Sequence, residues 1–193
     1  MANHFPLIVS TTTGNSVQEL PAGDFLDLSQ SGIANSGNIT VSGIISATGD
    51  ITASGNINGL NINSTNADLA ELYIADTTYT PGTIVEFGGT NEITITTNSH
   101  STAVAGIVST APGHLMNSEL SGNNTIAVAL TGRVPCRVVG TIQKGDRLVS
   151  SNTAGVATTL DINQYQPGCI IGKSLQEYDS ETVGVIEVAV GRF

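Results

Sequence analysis

The stretch GNITVSGIISATGDITASGN, residues 37–56, has glycine at positions 37, 43, 49 and 55 and contains no lysine, arginine or aromatic residue. Continued to residue 59 and divided by parity, it falls into two sets. The odd positions are Gly37, Ile39, Val41, Gly43, Ile45, Ala47, Gly49, Ile51, Ala53, Gly55, Ile57 and Gly59, every one apolar or glycine. Among the even positions only Ile44 is apolar. Strict alternation is the pattern of an extended chain with one buried face. A period of six residues, glycine then isoleucine two places later, is laid over it.

Such a ribbon cannot bury its own isoleucines. One large aliphatic side chain contributes roughly 1.5–3 kcal/mol when fully buried. Ordering the backbone of a six-residue unit costs more, at roughly 1–2 kcal/mol per residue. Cover must therefore come from elsewhere. Three copies of the ribbon wound together would place Ile39, Val41, Ile45, Ile51 and Ile57 on a common axis, and this is the favoured reading. Hairpins laid on the following domain are the second possibility. A single-chain left-handed β-helix is the third, although its usual unit sets glycine just after the large aliphatic, and four units are few. Past Gly59 the apolar phase flips to Leu60 and Ile62, and Asn58-Gly59 is a turn or bulge pair. Thr65 and Asp68 have capping-box spacing, which predicts a short helix over about 66–73, with an edge strand as the alternative.

Composition agrees with an extended β chain. Aromatic residues are 4%, tryptophan is absent and charged residues are 11%, against about 25% in an ordinary globular protein. The core must come from Ile, Val, Leu and Ala. With 39% hydrophobic residues, the chain does not have the composition of disorder. All six basic residues lie after residue 132, so residues 1–132 hold ten acids and no base, while 133–193 are neutral. That acidic body argues against nucleic acid and against anionic membrane surfaces. No run approaches the roughly 20 apolar residues of a membrane span, and the N-terminus shows no signal-peptide pattern.

Residues 1–35 contain FPLIV, the turn-rich TTTGN and PAGD, a short hairpin-like module too small to sustain its own core. It is read as an attachment segment. Residues 67–193 read as a compact β domain, with strands expected at 83–87, 92–96, 103–109, 125–130, 133–139, 147–150, 168–172 and 183–190 and turns between them. Many short strands at this spacing indicate a sandwich or barrel. PGTIV, KGDRLV and PGCII share a turn glycine followed by an aliphatic pair, as equivalent turns feeding equivalent strands would.

The blocks ADLAELYIADTTYTPGTIVEFGG, VAGIVSTAPGHLMNSE, VALTGRVPCRVVGTIQKGDRLVSS and PGCIIGKSLQ…GVIEVAVGRF resemble, in that order, a C-terminal β domain of tailed-phage fibre and appendage proteins, common among cyanophages. The resemblance covers about 67–193, and FPLIVSTTTGNSVQELPAGDFLDLSQSGI is similar to the start of such fibre proteins. It implies a trimeric virion structural protein, assembled in the host cytoplasm: an attachment segment over 1–35, a repeat shaft over 36–66 and a knob over 67–193. A stubby fibre or a capsid or tail decoration protein would fit the chain length. More distantly, the ADLAE start and GIVS strand are similar to a self-cleaving domain that acts as an intramolecular chaperone in some phage appendages. Its catalytic residues find no one-to-one match here.

The residues themselves suggest no reaction. Asn117-Ser118, near His114 and Glu119, is a conceivable cleavage junction, but APGHLMNSELSGNN reads as loop throughout. His4, His100 and His114 lack metal-ligand spacing. Cys136 lies between Arg133 and Arg137, which would lower a thiol pKa. Strand alternation, however, puts both arginines on the opposite face, so Cys136 and Cys169 read as buried thiols. Asp68 and Glu71 lack the aromatic platforms of a sugar-cleaving site. No phosphate-binding loop or EF-hand spacing occurs. The expectation is an all-β, non-enzymatic, homotrimeric protein with no cofactor, metal or nucleic-acid partner and no membrane insertion. Its expected partners are other virion proteins through 1–35, with a host receptor as a further candidate.

Overall fold

The computed structural model describes residues 7–10, 16–19, 38–39, 41–59 and 63–191. The chain separates into two compact units, Met1–Asn58 and Gly59–Phe193.

In the first unit, β1 (Leu7–Ser10) pairs antiparallel with β2 (Ser16–Glu19), Leu7 facing Glu19 and Ser10 facing Ser16. The module expected in 1–35 thus contains a hairpin. Leu20, Phe25, Leu26 and Leu28 lie outside the described residues. Along the repeat the backbone bends at Ser42-Gly43, Thr48-Gly49 and Ser54-Gly55, once every six residues. Among the described residues, none between 38 and 59 belongs to a strand. The strand reading of the repeat is one of pairing between sister copies; within one copy the described segment is a regularly bent chain.

Among its described residues the second unit is all-β apart from one 3-10 turn at Ile162–Gln164. Its strands are β3 (Asp68–Ile74), β4 (Ile84–Phe87), β5 (Ile93–Ile95), β6 (Val104–Val108), β7 (His114–Met116), β8 (Thr125–Ile142), β9 (Arg147–Ser150), β10 (Ala157–Thr159), β11 (Gly172–Ser174) and β12 (Tyr178–Val190). Around β8 they form a closed five-stranded barrel. β8 pairs with β12, β12 with β11, β11 with β9, and β9 with β10. A parallel contact of Ala157 with Val138 then brings β10 back to β8. Inside lie Val134, Cys136, Val138, Ile142, Leu148, Ala157, Ile171, Ile186, Val188 and Val190.

The N-terminal half of β8 enters a second circuit. It pairs with β6, β6 with β4, and β4 with β5. An isolated bridge from Ile93 to Ala75 reaches the end of β3, which pairs with β8 on its other edge. Ala75, Val85, Ile93, Val108, Ile126 and Val128 fill this smaller core. Ile84, Ile107 and Ala129, each next in sequence to one of those residues, belong to the first core. The wall between the two cores is therefore apolar on both faces, which explains the uninterrupted aliphatic pairs of the sequence.

Several expectations change. Residues 68–74 form strand β3 and not a helix: Asp68 and Ala70 are buried, and sheet pairing outweighs weak capping spacing. The expected strands 125–130 and 133–139 are one strand of 18 residues, because Gly132 continues the ladder by pairing with both Asp68 and Val190. The expected strand at 168–172 starts later, at Gly172, since Pro167 and Gly168 are spent in a turn. The loop expected over 111–124 contains β7, parallel to β3.

The three turns expected to be equivalent are so. Thr83 N–H donates to Thr80 O, Asp146 N–H to Gln143 O and Cys169 N–H to Gln166 O. Gly82, Gly145 and Gly168 occupy the third position at φ 84°, 95° and 90°, as type II turns require. A fourth, Thr153 to Val156 with Gly155 at φ 68°, feeds β10.

Candidate assembly surface

Sequence alternation places the aliphatic stripe of residues 39–57 on one side of an extended chain, and among the described residues these side chains are exposed. Ile39 is 66% exposed, Val41 47%, Ile45 70%, Ile51 69% and Ile57 65%. Ile44, the aliphatic residue at an even position, is also exposed. A methyl group added at Gly43, Gly49 or Gly55 would meet no atom within 4 Å. The repeat thus carries regularly spaced aliphatic side chains and open space beside its glycines. Water-exposed apolar surface of this extent marks a contact site.

Cys136 and Cys169 are both free and buried. Burial pushes the Cys136 thiol up to about 12, against a weaker downward pull from Arg137; Arg133 is exposed on the other face of the strand. Asn117 has φ 55° and its amide donates to Leu72 O at 3.3 Å, which holds the β7 loop on β3. His114 is exposed within β7. His100 Nε2 accepts from the Asp161 N–H at 3.1 Å, and its Nδ1 lies 2.7 Å from Ser99 Oγ. His4 lies outside the described residues.

Asp68 and Glu71 have different hydrogen-bond partners. Ser109 Oγ donates to Asp68 Oδ2 at 2.6 Å, and Tyr73 OH donates to Glu71 Oε2 at 2.8 Å. A cleft of about 290 Å³ opens beside Asp68, between Asn66, Ser109, Arg133, Pro135 and Glu187. The hydroxyl of Ser109 is committed to the carboxylate and is itself buried. Among the described residues, no three His, Cys, Asp or Glu side chains gather as a metal site, and no helix is long and apolar enough to cross a membrane.

No protein-family model matches the chain, and no curated protein matches it. Among solved structures it is similar to the pre-mature form of bacteriophage phi29 gene product 12, with a TM-score of 0.53 and 15% identity over 71% of this chain. The match covers 23% of that protein, so this chain spans less than a quarter of its length. A C-terminal fragment of the same product aligns with a TM-score of 0.47 and 15% identity, over 64% of this chain and 99% of the fragment. At this identity the likeness to the pre-mature protein is one of fold.

Proposed function

We propose that this chain is a non-enzymatic structural protein of a phage virion. In this reading residues 1–35 attach to other virion proteins, 36–66 wind with two sister copies into a short shaft, and 67–193 form a distal knob available to a host receptor. The observation that carries it is the exposure of Ile39, Val41, Ile45, Ile51 and Ile57 on a chain that bends every six residues. Three identical stripes offer one another the apolar surroundings that a single copy lacks, and the glycines leave room for backbones to approach. The fold shared with a phage gene product supports the virion setting.

The test is the molar mass of the intact chain in solution, set against 19.7 kDa for one copy. Three copies are expected, and a monodisperse single copy would overturn the shaft. Attachment and host contact are tested on particles. Particles lacking the protein should adsorb poorly; normal adsorption with easier breakage would reassign it as a decoration protein.

A further inference from the structure

We propose that the barrel wall carries a binding line for an acidic polysaccharide, formed by Arg147, Lys173 and Arg133. Pairing register sets this line. Lys173 on β11 stands opposite Arg147 on β9 and opposite Ala189 on β12. Ala189 in turn stands opposite Arg133 on β8. Three of the six basic residues of the chain therefore lie in one row across four adjacent strands. Their sequence neighbours Leu148, Ser174, Val188 and Val134 are buried, so the row faces outward. Arg147 and Arg133 are exposed and Lys173 is half-buried.

The row is unfavourable in the free protein. Like charges directly opposite on neighbouring strands repel, and Arg147 and Lys173 are such a pair. Among the described residues no carboxylate stands directly opposite any of the three in the pairing register. Glu187, opposite Pro135, lies diagonally from both Arg133 and Lys173 and leaves Arg147 without a cross-strand acid. The Asp146 carboxylate is taken by the Gln143 N–H at 2.8 Å. Local frustration of this kind in an otherwise consistent fold marks a functional surface, and a bound anion would relieve it.

The geometry selects the anion. With strands about 4.8 Å apart, the three bases sit at roughly 0, 5 and 14 Å along a line. Ala189 fills the gap with a methyl group, leaving space for a chain to lie close. The row runs across four strands of the outer barrel wall and ends at the cleft beside Arg133, a layout that suits a linear polymer more than a small molecule. Single-stranded nucleic acid would need aromatic platforms for its bases, and the row contains none. An acidic polysaccharide, with carboxylate or phosphate groups recurring along a flexible chain, needs only the cations. Its recognition therefore does not depend on the aromatic residues this protein lacks. The proposal rests on barrel register and is independent of shaft and trimer.

The experiment is titration of the full chain with polygalacturonate, with dextran and oligo(dT) as comparisons, alongside an Arg133→Gln/Arg147→Gln/Lys173→Gln variant. Polygalacturonate should bind with an affinity that falls as salt rises, and the variant should bind it about ten-fold more weakly. Dextran should not bind. The thermal midpoint of the variant should hold or rise, since the substitutions remove a repulsion. If the variant unfolds, Arg147→Gln alone decides, with weaker binding expected. Unchanged affinity in the folded variant overturns the proposal, as does oligo(dT) binding as tight as polygalacturonate. A variant whose molar mass shifts would place the row between copies and overturn it too, while the mass of the parent chain tests the shaft separately.

Discussion

Ser109 Oγ donates a 2.6 Å hydrogen bond to Asp68 Oδ2, joining the first strand of the β domain to the residue just past β6, 41 positions away. Asp68 is 5% exposed and Ser109 8%, and Asp68 is the only buried acid among the described residues. Hydrogen bonds to charged groups contribute about 1.5–3 kcal/mol. Ser109→Ala should therefore lower unfolding free energy by about 1–3 kcal/mol, read from urea denaturation. An unchanged midpoint would show that the carboxylate is hydrated in solution.

Gly132 sits where β8 leaves one barrel circuit for the other. Its φ is 112°, and a methyl group there would lie 2.2 Å from Ala67 O and 2.6 Å from Asp68 Cα. Both contacts are backbone and cannot yield by side-chain rotation. Gly132→Ala should destabilise the domain by more than about 1 kcal/mol, whereas Gly145→Ala meets no atom and is strained only in its φ of 95°. Paired thermal melts check the order, Gly132→Ala being the lower.

The Cys136 thiol is raised by burial from 9.0 to about 12. The unfolded chain ionises this thiol near 9 while the fold keeps it protonated. Its contribution to stability is thus complete below pH 9 and is lost as pH climbs from 9 to about 12. At pH 8, a thiol reagent should label neither cysteine of the folded protein and both in denaturant. Rapid labelling of Cys136 in the native state would contradict its placement in the barrel core.

Ile45 is the residue on which the shaft proposal is most exposed to test. Ile45→Asp would gather three carboxylates on one axis, where each loses hydration and repels the others. Light scattering should then report single copies. The β domain should keep its own melting transition, because the repeat lies in the other compact unit. A variant that still has the mass of three copies would remove Ile45 from the axis.

Much of the β domain was legible locally. The turns at Pro81-Gly82, Lys144-Gly145 and Pro167-Gly168 were readable because a type II turn demands glycine at one position. The same turn at Ala154-Gly155 was missed: SNTAGVA contains neither proline nor a charged neighbour to mark it. β7 was invisible because His114–Met116 is three residues long and is held only by pairing with β3. β3 itself was read first as a short helix because Thr65 and Asp68 have capping-box spacing when Ser109 and Gly132 are out of view.

By itself the sequence determined alternation, the six-residue period, the segregation of charge and the burial of both cysteines, since each follows from side-chain type and spacing along one strand. Only the tertiary structure decided that β8 serves two circuits, that Ala157 closes a barrel on Val138, and that Arg147, Lys173 and Arg133 share a row. The physical reason is that sheet register is a relation between distant segments. It is fixed by which aliphatic faces can be buried together, and no local propensity encodes which strand will be the neighbour.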